Sequence, residues 1–213
     1  MRVAVLGHRG MLGSRVVAAL APRHHVITFE HRYVYGDPGL FLDAVAAAHA
    51  DWVINCISGP PVVLQDLPHE LAARFRLIQP SSDAVFEDTP YGRAKAKGEA
   101  GTVIRCGLVD PAGGLLAKVR DAAIFQADTA KHWNGVSALA WAGVAESVIR
   151  GELTGPLIIP GSPPVSIHTL AVEACRAFGW RTEVEPRETL GPDRVLTPTL
   201  EMPPIADQLA AYL

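Results

Sequence analysis

Short aliphatic runs recur along the first hundred residues, and most are followed by a stretch with helical spacing. Residues 2–6 (RVAVL) form a β-branched run suited to a buried strand. Residues 14–20 place apolar side chains at helical intervals, and Pro22 stands just past them. The pattern then predicts strands over 25–30, 51–56, 77–81 and 102–106, and helices over 40–50, 67–75 and 91–100. Strands alternating with helices through short connections argue a parallel sheet covered on both faces. Such sheets take ligands beyond the carboxyl ends of their strands. Three features fall at those ends: a glycine loop, the segment 55–58, and Ser82. After Cys106 the alternation weakens. Residues 107–114 read as loop, 115–125 and 136–150 as helices, 156–159 as a short strand, and 166–178 as a helix that Ser166 could cap. The remaining tail is rich in proline and polar residues. The expected division is a core over 1–106 and a smaller lobe over 107–213 interleaved with it.

The loop Gly7-His-Arg-Gly10-Met-Leu-Gly13 joins the first strand to the first helix. Glycines there permit a tight turn and close backbone approach to a pyrophosphate, and the helix N-terminus offers free N–H groups. With the alternating pattern, this predicts an α/β fold: a Rossmann-type doubly wound parallel sheet with a small C-terminal lobe on the substrate side. Glu30, at the end of the second expected strand, is placed to accept bonds from an adenosine ribose, which favours NAD(H). Arg9 and Arg32 lie close by in sequence and could pair a 2′-phosphate, which favours NADP(H). Glu30, His31 and Arg32 are equally compatible with ordinary surface charge. Asp37 suits either a helix cap or a bond to the adenine amino group.

Composition narrows the remaining classes. Of 213 residues, 49% are hydrophobic and 19% charged, enough apolar mass for a sizeable core. A net charge of −3 without a basic stripe gives no footprint for nucleic acid. No apolar run reaches membrane-spanning length, and the short apolar start leads directly into the glycine loop, so a cytoplasmic protein is expected. Cys56, Cys106 and Cys175 are widely spaced, which fits reduced thiols better than a disulfide framework or a zinc site.

Tyr91 and Lys95 stand four apart on an expected helix, hence on one face. A nearby ammonium lowers a phenol's pKa and helps it exchange a proton near neutral pH. Ser82, just after the preceding strand, could donate a hydrogen bond to a carbonyl.

These residues together resemble the extended short-chain dehydrogenase/reductase superfamily, and within it the dTDP-4-dehydrorhamnose reductase branch. The loop GHRGMLGS is also similar to that of GDP-fucose synthase. DWVINC, LPHELAARF, SSDAVF, YGRAKAKGE, VIRCGLVD, HWNGVSALAWAGV and DRVLTP resemble branch segments in the same order. The resemblance implies a proton donor at Tyr91, a nicotinamide-ribose ligand at Lys95 that also tunes Tyr91, and a carbonyl-polarising hydroxyl at Ser82. It brings Gly7, Gly10, Met11, Leu12 and Gly13 to the pyrophosphate, Arg9 to the adenosine 2′ position and Asp37 to adenine. Asn55, Cys56 and Ile57 would line the cofactor, and Asp83, Trp133 and Asn134 the substrate, although Trp133 reads equally well as a core aromatic. The implied reaction is NAD(P)H-dependent reduction of a nucleotide-activated 4-keto-6-deoxyhexose or another small carbonyl compound. The chain departs from the branch by its trimmed connections. Only eight residues separate Ser82 from Tyr91. A cofactor-binding regulatory protein without turnover and a nucleotide-sugar epimerase therefore stay open, as does a homodimer.

Overall fold

The structure is a computed structural model that describes residues 1–30, 33–189 and 193–213. In chain order its elements are β1 (Arg2–Leu6), α1 (Met11–Leu20), β2 (His25–Thr28), α2 (Gly39–Ala47), β3 (Trp52–Asn55), α3 (Pro61–Ala72), β4 (Leu77–Ser81), a 3-10 turn (Asp83–Phe86), α4 (Pro90–Lys97), β5 (Thr102–Arg105), β6 (Leu108–Val109), α5 (Gly114–Asp121), β7 (Ile124–Asp128), β8 (His132–Trp133), β9 (Val136–Ser137), α6 (Ala138–Ile149), β10 (Leu157–Ile158), β11 (Pro160–Gly161), β12 (Val165–Ser166), α7 (Ile167–Phe178), β13 (Glu183–Arg187), β14 (Leu200–Glu201) and α8 (Ile205–Ala210). The chain forms two compact units. Unit 1 comprises Met1–Arg105 and Ala142–Ile158; unit 2 comprises Cys106–Trp141 and Ile159–Leu213.

Unit 1 is built on a six-stranded sheet in the order β10-β5-β4-β3-β1-β2. Every pairing in it is parallel. The chain starts at β1, steps outward to β2, then crosses back to β3 on the other side. That reversal makes the gap between the carboxyl ends of β1 and β3 the topological switch point, where open sheets of this kind bind ligands. Alternation along β1 divides the core. Ala4 and Leu6 pack with Phe41, Leu42 and Val45 of α2 and Val63, Leu67 and Leu71 of α3, while Val3 and Val5, equally buried, point to the opposite face.

Most of unit 1 follows the expected pattern, with shifts at element ends. The second strand stops at Thr28, so Glu30 lies two residues beyond it. The third helix starts at Pro61, six residues earlier than expected, because proline is well placed in a first turn that needs no N–H donor. Helix α4 begins at Pro90 under a Thr89 cap, whose hydroxyl accepts the Gly92 N–H at 3.0 Å.

Unit 2 departs further. The helix expected over 115–125 ends at Asp121, where Ala122 turns extended, and Ile124–Asp128 is a strand. Its partner is β13, in parallel register from Glu183↔Ile124 to Arg187↔Asp128, within the tail that carried no strand signal. Helix α7 is capped as expected: the Ser166 hydroxyl accepts the Thr169 N–H at 3.0 Å. The core of the unit gathers Val109, Leu116, Trp133, Leu170, Ala174, Ile205 and Leu209.

One charge cluster in unit 1 gives its stability a pH dependence. Glu146 accepts both 2.8 Å bonds from Arg23 and lies 3.7 Å from the buried His24 ring. The Arg23 hydrogen bonds hold its carboxyl below the ordinary value of 4.5. A depressed folded value adds stability that is present above that pH and lost as pH falls through it. Glu146→Gln is therefore expected to lower the melting temperature by roughly 2–4 °C at pH 7, with the difference from wild type closing below about pH 4. Melts across pH 3 to 7 check this, and parallel curves would refute it.

Candidate functional site

The glycine loop is built from backbone contacts that leave no room for side chains. Gly7 has φ +71°, and its N–H-accepting carbonyl takes a 3.0 Å bond from Gly10. A Cβ on Gly13 would lie 2.2 Å from that same Gly7 carbonyl oxygen. Helix α1 therefore starts hard against the end of β1. Its N-cap is Gly10, which has no side chain to cap with, so the first-turn N–H groups keep their capacity for an external acceptor. Leu12 is buried in the core and Met11 half-buried, so these two seat the helix by packing.

Beside the loop, at the switch point, opens a cavity of about 470 Å³. Gly7, His8, Arg9 and Gly10 form one side. Cys56, Ile57, Ser58 and Gly59, following β3, form another, and Phe29, Tyr33, Phe41 and Val63 supply apolar walls. Tyr33 meets Phe41 edge-on at 5.6 Å and donates its hydroxyl to Glu70 at 3.1 Å. At the rim, Arg9 donates to Glu30, and His8 Nε2 lies 3.9 Å from the same carboxylate. Asn55 is a positioning residue. It is buried, donates to Gln79 at 3.0 Å, and accepts the Ile57 N–H at 3.1 Å, fixing the turn out of β3.

Tyr91, Lys95 and Ser82 converge at the end of β4. Gly92 allows this, since a Cβ there would lie 2.1 Å from the Ala84 carbonyl of the 3-10 turn. Ser82 caps that turn by accepting the Ala84 N–H at 3.2 Å, and donates to Asp83 at 2.8 Å. Burial pushes the Tyr91 phenol above its ordinary value of 10.0. The Ser82 hydroxyl, hydrogen-bonded to it, acts the other way, and the Asp83 charge adds to the rise. Lys95 donates to the Pro80 carbonyl at 3.1 Å. Burial lowers its ammonium, opposed by Cys56 and Glu99. Burial likewise pushes the Cys56 thiol up to about 12, offset in part by Lys95. Cys56 also lines the cavity.

No family model matches the chain, and no curated protein matches it in sequence. Solved structures do match it in shape. A dTDP-4-dehydrorhamnose reductase from Clostridium acetobutylicum aligns with TM-score 0.73 at 19% identity, over 100% of this chain and 98% of its own. The enzyme of the same name from Bacillus anthracis, in complex with NADP, gives 0.80 at 14% identity, over 99% and 98%. A dTDP-glucose 4,6-dehydratase from the same organism, in complex with NAD, gives 0.68 at 13%, over 99% and 94%. The chain shares their fold.

Other expected site residues fall elsewhere. Arg32 lies outside the described residues. Asp37 is exposed in the turn before α2, and the helix takes Pro38 as its N-cap with no side-chain bond, so the capping role is corrected. Trp133 is 5% exposed in the core of unit 2, and Asn134 commits both ends of its amide to the Leu196 backbone, at 2.8 and 2.9 Å. Both help to hold unit 2 together there. Sequence reasoning passed over Tyr33, Phe29 and Phe41, whose aromatic side chains carry no motif. It also passed over Glu99, which accepts from Ser81 at 2.6 Å and from Arg105.

Gly13→Ala tests the loop. The added methyl must displace the Gly7 carbonyl, and a loss of about 1–3 kcal/mol in chemical denaturation is expected. An unchanged midpoint would mean that α1 and β1 do not approach this closely.

Proposed function

We propose that unit 1 binds a nicotinamide dinucleotide, with NADP(H) preferred over NAD(H), and that the chain reduces the C4 ketone of a nucleotide-activated 4-keto-6-deoxyhexose. The observation that carries this reading is the convergence of Tyr91, Lys95 and Ser82 at the end of β4, with Cys56, which lines the cavity beside the glycine loop, among the groups that act on Lys95. The residues of the cavity fit a dinucleotide. Its glycines leave a cradle that a Cβ would fill, α1 presents uncapped N–H groups to a pyrophosphate, and aromatic walls suit an adenine ring. When bound, the nicotinamide supplies the hydride.

The chain's own residues do the rest. Tyr91, a phenol that is protonated at neutral pH, gives its proton to the carbonyl oxygen. Ser82 turns its hydroxyl from Asp83 toward that oxygen. Lys95 has three N–H donors and directs one at Pro80, leaving two for a ribose hydroxyl. At the rim, the Arg9 and Glu30 side chains are 74% and 70% exposed. An exposed pair of this kind is held by at most about 1 kcal/mol, so a 2′-phosphate can draw Arg9 away from Glu30. The reductases among the fold neighbours, one of them holding NADP, support this reading.

Calorimetric titration with NADPH and NADH, followed by a panel of nucleotide 4-keto-6-deoxysugars at the reduced-nicotinamide absorbance band, tests it. Binding with turnover is expected. Binding without turnover would favour a cofactor-binding regulatory role. No binding would refute both.

Two variants test individual residues. Tyr91→Phe is expected to cut turnover by about 100-fold or more while dinucleotide affinity holds, and undiminished turnover would remove Tyr91 as the proton donor. Arg9→Ala is expected to weaken NADPH more than NADH. Equal losses would take Arg9 out of the 2′-phosphate site.

A further inference from the structure

We propose that Glu99 is a positioning residue of this site, pinning the end of β4 that leads into Ser82 and supplying the counter-charge for Lys95. The inference rests on the reading of Lys95 and Ser82 given above. Its geometry is a clamp on two consecutive residues of β4. Lys95, from α4, donates to the Pro80 carbonyl at 3.1 Å, and Glu99, just past the end of α4, accepts from the Ser81 hydroxyl at 2.6 Å. Ser82 is the next residue. Arg105 closes the clamp from the neighbouring strand, where it sits in register with Ser81 and gives two hydrogen bonds to the Glu99 carboxylate. The Arg105 and Glu99 side chains are only 16% and 18% exposed. A bidentate pair at that depth has a fixed geometry, unlike a surface pair.

Electrostatics point the same way. Burial works against the Lys95 ammonium, and Glu99 is one of the two groups that oppose it. Cys56 beyond β3 and Glu99 after α4 act on Lys95, Arg105 is bonded to the Glu99 carboxylate, Tyr91 lies one turn earlier on the same helix, and Asp83 in the 3-10 turn is bonded to Ser82. From α3, His69 donates to the Lys97 carbonyl at 2.7 Å. Of these, Glu99 is the carboxylate that both acts on Lys95 and holds β4.

The test needs no substrate. The chain has four lysines, Lys95, Lys97, Lys118 and Lys131, so reductive 13C-methylation gives few signals, and Lys95→Arg identifies the one of interest. The titration midpoint of Lys95 is then followed by NMR. In Glu99→Gln the midpoint is expected to fall by about half a pH unit or more, because an opposite charge has been removed. In Ser81→Ala, which removes a bond but no charge, it is expected to stay. An unchanged midpoint in a Glu99→Gln protein that melts cooperatively overturns the proposal, as does an equal fall in Ser81→Ala, which would assign the effect to packing. If Glu99→Gln does not fold, Arg105→Gln carries the test with the opposite sign: Glu99 loses its neutralising partner and the midpoint must rise, so a static value overturns the proposal. Failure of the function reading is separate, since loss of dinucleotide binding would be seen by calorimetry in the wild-type protein while the Lys95 midpoint still reports on Glu99.

Discussion

The candidate site depends on how closely α1 can approach the end of β1. The Gly7 carbonyl lies where a Cβ of residue 13 would have to be. With hydrogen there instead, the helix starts directly above the strand, and Val16 and Leu20 follow it into the core. The same packing aims the first-turn N–H groups at the switch point between β1 and β3, so one steric allowance joins the helix to the sheet and opens the binding face. Any side chain at position 13 would push the helix outward and change the core and the cavity together.

A second close approach governs α4. Pro68 sits inside α3 and cannot donate to the Leu64 carbonyl one turn earlier. That freed carbonyl is covered by Gly98, the C-cap of α4, where a Cβ would be 2.0 Å from the oxygen. A helix interior that lacks one hydrogen bond thus becomes a seat for the neighbouring helix, and His69 adds a bond to the Lys97 carbonyl one residue before. With Thr89 capping the other end, α4 is held at both termini, and Tyr91 and Lys95 between them are aimed at the end of β4.

This division of labour explains what was legible in the sequence. Strands β1 and β4 were both read at their observed limits: in β1 four apolar residues follow Arg2 and stop at the glycine loop, and in β4 Leu77 and Ile78 open a strand that runs out at the polar Ser81 and Ser82. The glycine loop and the Tyr91–Lys95 spacing are short-range patterns whose consequences do not depend on distant residues. The start of α3 was missed because Pro60 and Pro61 read as loop, although a first helical turn accepts them. The sequence gives little sign of β13: Glu183–Arg187 is mostly polar, contains Pro186, and becomes a strand only through its pairing with β7. In the same way 122–125 was absorbed into a helix because alanines favour one, and tertiary pairing overrode that local preference. Trp133 and Asn134 sat within a segment resembling the branch, but resemblance could not say that the indole fills a core or that the amide is already bonded.

Two Glu–Arg pairs in unit 1 show how solvent access separates roles that sequence leaves identical. Arg9 and Glu30 meet at the cavity rim with most of each side chain in water. Water screens their attraction and competes for every hydrogen bond, so the pair exchanges readily for a phosphate or a ribose hydroxyl. Arg105 and Glu99 meet at the ends of β5 and β4 with little water around them, and a third partner, Ser81, shares the carboxylate. Removing either member there would leave a partly buried charge without its partner, a much larger penalty than the loss of a surface pair. The first pair suits selection among ligands because it is easily broken. The second suits the fixed geometry around Lys95 and Ser82 because it is not.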